Sequence, residues 1–464
     1  MKVKAIWFVI IIVDIVLVFL NKSTFDDGDS ILHFLQAHQV MQTPHLLLDM
    51  WAKPVFVLLA WPFAAVGWWG MKLFNAICVL ASAFVTYKLF ITKGYRKWWA
   101  VLLCLATPAL FLVQSSGLTE PLFTLLLILI VFLEYKDQTI PSLVILSFLP
   151  FVRAEGWVIM LIFATYLLFA RKIKKLPFML LGTLLYGLVG QLFLSDFLFM
   201  FHQNPYNGVE QKFGNGEFLH YFNQLPYIVG LPIVILISAG FINGIKLLIT
   251  RTLALKDAFL IYAFSLGYIV AQSIFWRFGL FHSFGMTRVL IVIIPLLAFV
   301  AYDGLQAILT LFSTKYQKYI TIFFLLLIVL FPFTNNKMGF KLHKSFQLSS
   351  NQHLVIEVAE FLKKEKLDSK PFYCNAYYLP MIMHKHVETK QECSSLELLH
   401  STKPKQGSLL VWDSYFAVTD AEITDTFIEQ NLNTRLLREF VKTNDPTKYK
   451  IKVYEVLSES EPKL

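Results

Sequence analysis

Three carboxylates, Asp26, Asp27 and Asp29, stand in a short polar stretch directly after the first apolar run of the chain. A carboxylate placed beside a hydroxyl or an amine can act as a general base. Other charged residues recur at the ends of apolar runs. Lys53 precedes Pro54, and Glu120 lies within Gly117-Leu118-Thr119-Glu120-Pro121. Arg153 and Glu155 share one turn, while Arg277, His282 and Arg288 flank a late apolar run. Lysine and arginine stabilise a departing phosphate, arginine in a bidentate manner. Acids able to activate a nucleophile, beside cations able to hold a phosphate, suit group transfer from a phosphate-bearing donor. Each residue also has a structural reading. Asp26 and Asp27 can cap the helix that begins near Ile31, and Asp29 and His33, four apart, share a helix face. Arg153–Glu155 can be an ion pair alone, Glu120 can sit at a helix N-terminus for its dipole, and Arg288 can anchor a span at the interface.

The elements that carry these residues are hydrophobic. Of 464 residues 56% are hydrophobic and 16% charged, against about 25% charged in soluble domains. Several apolar runs reach the ~20 residues needed to cross a ~30 Å hydrocarbon core. The pattern predicts a polytopic α-helical membrane protein with about eleven transmembrane helices, at roughly 5–20, 70–91, 98–114, 118–135, 139–152, 155–171, 176–199, 228–249, 258–276, 286–305 and 318–334. No small-x-small cleavage site precedes Asn21, so the first run reads as an uncleaved span. Asp14 within it should face protein rather than lipid.

Residues 54–69 are apolar but contain Pro54 and Pro62, which break a straight helix. If they lie flat on the membrane, sixteen basic residues of the first 336 face one side and seven the other. If they span, the bias inverts. The positive-inside rule favours the flat reading. It predicts a plasma (inner) membrane protein with a cytoplasmic N-terminus and an extracytoplasmic C-terminal domain. The division falls into a transmembrane module, 1–335, with outward loop 21–69, and a soluble domain, 336–464. That domain reads as small and α/β, with helices at 353–364 and 420–430 and strands at 371–374, 408–412 and 449–456. Cys374 and Cys393 form a disulfide there, or remain two free thiols.

The net charge of +10 comes from residues 1–336, with 23 basic against 14 acidic; residues 337–464 hold 18 against 17. Basic residues clustered between spans are topology determinants, which excludes nucleic-acid binding. Phosphate-binding loops, hydrolase elbows and zinc-protease motifs are absent from the sequence. Tyr206, Phe213, Tyr221 and Phe222, in the loop 200–227, are able to stack on sugar or lipid or to pack the loop.

Four stretches resemble the GT-C superfamily of membrane glycosyltransferases, and within it the family of protein O-mannosyltransferases and the lipid A aminoarabinose transferase. They are Asp29-Ser30-Ile31-Leu32-His33-Phe34-Leu35-Gln36-Ala37; Lys53-Pro54 opening an apolar helix; Thr119-Glu120-Pro121-Leu122-Phe123 with Phe151-Val152-Arg153-Ala154-Glu155-Gly156 downstream; and Thr287-Arg288-Val289-Leu290. The resemblance implies a GT-C-like fold. It also implies a glycosyltransferase, hexosyl-, mannosyl- or aminoarabinosyl-transferring, that uses a polyprenyl-phosphate-linked sugar donor and a lipid, glycan or protein acceptor among membrane lipids. It assigns the base to Asp29, with Asp27 in its place under a shifted alignment. It puts Glu120 at a second acidic position, Lys53 on the phosphate, and Arg288, Arg277, Arg153 and His33 in supporting roles. No cofactor is required, and participation of a divalent cation is left open. A family Asp-Glu pair is here Asp29-Ser30. Two other classes fit the composition: a transporter of lipid-linked sugars, which would place charges near the midplane, and a scaffold that binds a partner.

Overall fold

The computed structural model describes residues 2–95, 98–206, 214–334, 346–387, 392–442 and 449–458. The chain forms two compact units. One comprises residues 1–21 and 43–346, the other residues 22–42 and 347–464.

The first unit is helical. Six of its helices are long and apolar enough to cross a membrane: Trp68–Thr92, Ile173–Leu194, Leu231–Ile249, Leu255–Phe278, Thr287–Leu309 and Thr314–Phe333. Lys2–Leu20, Glu120–Tyr135, Thr139–Phe148 and Gly156–Phe169 are further apolar helices, of 19, 16, 10 and 14 residues. The stretch 98–114 is broken: a helix at Leu102–Leu105 ends before Thr107-Pro108, and another runs Pro108–Val113. A residue before proline is pushed out of the helical region, and Thr107 is extended. Within residues 54–69 the helix is Pro54–Ala64, eleven residues, or ~16 Å, with Pro62 inside it.

Local sequence sets the irregular starts. Thr287–Ile293 is a tight 3-10 segment before the α-helix Ile294–Leu309. Its β-branched residues, Val289, Ile291, Val292 and Ile293, are weak helix formers. Pro295 has no N–H to continue an upstream ladder but fits the first turn of a helix. Asp14, as expected, faces protein and accepts from Gln114 Nε2 at 2.8 Å. The helices Leu231–Ile249 and Ile294–Leu309 meet backbone to backbone. A Cβ at Gly240 would lie 2.0 Å from the Val300 carbonyl oxygen, and one at Gly304 would lie 1.9 Å from that of Leu236.

The second unit carries a five-stranded sheet of β1 (Phe372–Cys374), β2 (Cys393–Ser394), β3 (Leu409–Asp413), β4 (Thr434–Val441) and β5 (Lys450–Val456), in the order β2-β1-β3-β5-β4. β1 is parallel to β2 and β3, and β5 is antiparallel to β3 and β4. Central β3 is buried along its length, as a strand covered on both faces must be. One face packs Tyr373, Leu410, Trp412 and Tyr454 against Leu396, Ile423 and Ile428. Helix Ser350–Lys364, closed by a Ser349–Gln352 capping box, buries Leu354, Val355, Val358 and Leu362. Helix Asp29–Gln39 belongs to this unit: Gln39 bonds the Lys385 carbonyl and the Val387 amide. Residues 22–42, read from sequence as part of the membrane module, therefore pack with residues 347–464. Cys374 and Cys393 lie side by side on β1 and β2, buried, as free thiols with sulfurs 3.7 Å apart.

Candidate active site

The three carboxylates of the acidic run occupy different environments. Asp26 Oδ1 accepts from the backbone amides of Gly28 and Ser30, at 3.1 and 2.9 Å. It thus satisfies amides at the start of helix Asp29–Gln39 that would otherwise lack partners. Asp27 accepts from Ser349 Oγ at 2.9 Å on both oxygens. Burial pushes its carboxyl above the ordinary range, against the pull of the Ser349 bond. Asp29 opens the helix, half-buried, in electrostatic reach of Tyr377 and Tyr415. The Phe416 ring packs against Gly28, where a Cβ would lie 3.2 Å from it. His33 is buried one turn further along the same helix.

In the helical unit the hub is Arg153. Its Nη1 lies 2.9 Å from Glu120 Oε1 and donates to Thr119 Oγ1 at 3.0 Å, while Nη2 donates to Glu155 at 2.7 Å. Arg288 Nε lies 3.4 Å from the same Glu120 oxygen. Three chain segments meet here, each delivered by a helix start: Pro121 in the first turn of Glu120–Tyr135, the 3-10 turn Leu149–Phe151 before Gly156–Phe169, and the segment Thr287–Ile293. Gly156 admits the turn, since a Cβ there would lie 2.5 Å from Pro150 N.

Glu120 is wholly buried, yet neither carboxylate oxygen receives a well-aligned hydrogen bond. The guanidinium contacts are close in distance but not in hydrogen-bond geometry, so charge alone compensates this anion. A buried polar group left in that condition has capacity for a ligand. Lys53, in a left-handed backbone conformation, donates to the Met50 carbonyl at 2.8 Å and to Tyr206 Oη at 3.1 Å, over the Tyr206 ring. It is in electrostatic reach of Glu155.

Glu120, Arg153, Glu155 and Arg288 therefore come together within one unit, with Lys53 beside Glu155. Arg277 does not join them; it is exposed at the end of helix Phe264–Phe278. Phe213 lies outside the described residues. Tyr221 is buried. Sequence reasoning did not single out Tyr268 and Gln272; Gln272 Nε2 lies 3.5 Å from Glu155 and buried Tyr268 lies in electrostatic reach of Arg153. Their signal was present: Ser265, Tyr268 and Gln272 form a polar stripe at helical spacing on an apolar helix. Among the described residues no group of three or more His, Cys, Asp or Glu side chains is placed to hold a metal ion.

The apolar helices and the attached α/β unit define the chain as a multi-pass membrane protein. Among solved structures it is similar to ArnT from Cupriavidus metallidurans. Against ArnT bound to undecaprenyl phosphate, the TM-score is 0.60 at 12% identity, covering 100% of this chain and 99% of that one. Against ArnT in the apo state, it is 0.64 at 11% identity, covering 99% and 100%. No protein-family model matches the chain, and no curated protein matches it in sequence. The resemblance to GT-C enzymes holds at the level of the fold.

Proposed function

We propose that this chain is an integral-membrane glycosyltransferase of GT-C type that moves a sugar from a polyprenyl-phosphate donor to a lipid, glycan or protein acceptor. The observation that carries the reading is the whole-chain likeness to a structure holding undecaprenyl phosphate. The buried Glu120–Arg153–Arg288 constellation and Lys53 supply the acid and cations such a reaction uses. In this reading Asp29 takes the proton of the acceptor hydroxyl or amine. The nucleophile bonds to the anomeric carbon, and the carbon–oxygen bond to phosphate breaks. The polyprenyl phosphate leaves with the electron pair, and Lys53 and Arg288 stabilise its charge. Glu120 orients the sugar or acceptor through Arg153. Asp27, bound to Ser349, is the alternative base. The sixteen-to-seven basic bias supports a reading with the N-terminus in the cytoplasm and the α/β unit outside the inner membrane.

The test is incubation of the purified protein with a labelled polyprenyl-phosphate sugar and an acceptor extract. The wild type should release polyprenyl phosphate, and Asp29→Asn should lose about 10²–10⁴-fold of that rate with unchanged thermal unfolding. Wild-type turnover by Asp29→Asn removes Asp29 as base and turns the assay to Asp27. Saturable donor binding without turnover by the wild type supports a transporter instead.

A further inference from the structure

At the opposite end of helix Glu120–Tyr135 from Glu120, ~24 Å along its axis, lies a cavity of about 590 Å³. Its walls come from the ends of four segments and include Lys93, Lys172, Lys256, Tyr135, Tyr166 and Asp257. The ionic contacts around it follow a pattern. Asp257 binds both Lys93 and the Tyr135 hydroxyl. Buried Glu134 binds Lys172 at 2.5 Å and the Tyr166 hydroxyl at 2.7 Å. Lys256 donates to exposed Asp137 at 2.6 Å. Each acid is engaged, and an ammonium with three donors retains capacity.

The lining holds three lysines, Lys93, Lys172 and Lys256, against two aspartates, Asp137 and Asp257, and residues 136, 171, 174, 175 and 251 beside it add five basic side chains. Ion pairs that served only to latch helices would close the space between them. Here the amines of three segments border an open volume within the range of ligand sites, ~300–1,000 Å³. A concave surface with low-dielectric walls also concentrates the surplus positive potential inside it.

We propose that this cavity is a binding site for a phosphate-bearing anion, either a phospholipid headgroup or a soluble phosphate. Lys172 and Lys256 contact the phosphate oxygens, Tyr135 and Tyr166 wall the site, and Lys93, held by Asp257, contributes charge from behind. Basic pockets between spans accept anionic headgroups on these physical grounds. The inference does not rest on the transfer reaction, since it uses none of Asp29, Lys53 or Glu120.

The test uses the full-length wild-type protein and amine acetylation followed by mass spectrometry. Acetylation of Lys172 and Lys256 is compared with that of exposed Lys363 and Lys364. One arm adds inorganic pyrophosphate to protein in neutral detergent, with chloride as control. The other compares nanodiscs containing phosphatidylglycerol with nanodiscs of phosphatidylcholine alone. At least fivefold slower acetylation of Lys172 and Lys256, but not of Lys363 and Lys364, is expected in one arm or both. Protection by phosphatidylglycerol alone assigns a lipid headgroup, and protection by pyrophosphate alone assigns a soluble phosphate. Equal rates in all four conditions overturn the proposal. Lys256→Gln strands no buried charge, because its partner Asp137 is exposed. It should raise the ligand concentration that protects Lys172 about tenfold, and unchanged protection in that variant also overturns the proposal.

Discussion

Replacing Arg153 by methionine removes charge from the centre of the Glu120–Glu155–Arg288 cluster while keeping most of the side-chain volume. In the wild type, Arg153 sits 2.9 Å from Glu120, whose side chain is 0% exposed, and 2.7 Å from Glu155, at 16%. At an effective dielectric of about 20, each contact is worth roughly 6 kcal/mol of Coulomb attraction. Most of that offsets the cost of taking the ions out of water. Once Arg153 is gone, the desolvation remains and the attraction does not. Glu120 keeps Arg288 at 3.4 Å, and Glu155 keeps the weaker pull of Lys53 and Gln272. Breaking a buried pair on one side costs about 3–5 kcal/mol, or roughly 3–5 °C in thermal midpoint for a chain of this size. Glu120→Gln removes the buried anion itself and leaves Arg153 its bond to Glu155, so its loss should be smaller, about 1–3 kcal/mol. The assay is thermal unfolding in a fixed detergent for the wild type, both single variants and the double variant. The expected order of loss is Arg153→Met above Glu120→Gln, with the double variant well short of the sum of the two. An Arg153→Met midpoint within a degree of wild type, or strictly additive losses, would refute the view of this cluster as one mutually compensated unit.

Three other expectations concern separate features. Asp413, buried at the end of β3, has its carboxyl pushed up to about 6 by burial despite accepting from the amides of Tyr415, Phe416 and Ala417. The folded unit therefore holds the proton more tightly than the unfolded chain, near 3.8. This group's stabilising effect is full below about pH 4 and is lost as pH rises through 6, amounting to ~3 kcal/mol; limited proteolysis of residues 347–464 from pH 4 to 7 should show a slope that Asp413→Asn flattens. The Cys374 thiol is pushed well above its usual range by its hydrogen bond with Cys393 and by burial, so in reduced, folded protein at pH 8 iodoacetamide should label Cys374 at least tenfold more slowly than after unfolding, and equal labelling would contradict the buried pair. Gly304→Leu should separate helices Leu231–Ile249 and Ile294–Leu309, whose backbones leave no room for a side chain; overpacking costs about 1–3 kcal/mol or more, and a monodisperse variant with wild-type melting would argue against that close approach.

The parts of this fold that were legible in the sequence are those governed by hydrophobic length and period. Trp68–Thr92 and Leu231–Ile249 read directly as spans, and Ser350–Lys364 as an amphipathic helix. Pro54 opens the helix Pro54–Ala64 as a first-turn proline does, whereas Pro62, expected to break it, lies inside it. β4 was missed because Thr434–Val441 is an edge strand: Arg435, Arg438 and Glu439 break the alternation of apolar and polar residues, and charges of that kind protect an unpaired edge from further pairing. β2 is two residues long, too short for any periodicity. The start of the late span was blurred for another reason. Nothing in the hydropathy of Thr287–Ile293 distinguishes a 3-10 segment from an α-helix, although that tighter winding is what carries Arg288 to Glu120.

The candidate site divides along the same line. Residue type and position at span ends were enough to nominate Glu120, Arg153 and Arg288, because such charges are costly in an apolar chain unless they meet one another. Their ranking was not legible. Arg153, given only a supporting role from sequence, is the residue that binds both carboxylates, since only the fold brings Gly156 against Pro150 and turns the Arg153 side chain toward Thr119. The acidic run shows the converse. In sequence Asp26, Asp27 and Asp29 are near-equivalents, and the family resemblance alone favoured Asp29 over Asp27. In the structure Asp26 spends an oxygen on two backbone amides and Asp27 spends both of its oxygens on Ser349, more than 300 residues away. Accepting a bond fixes where a carboxylate sits but leaves it lone pairs for a proton, so Asp27 stays a candidate base beside Asp29.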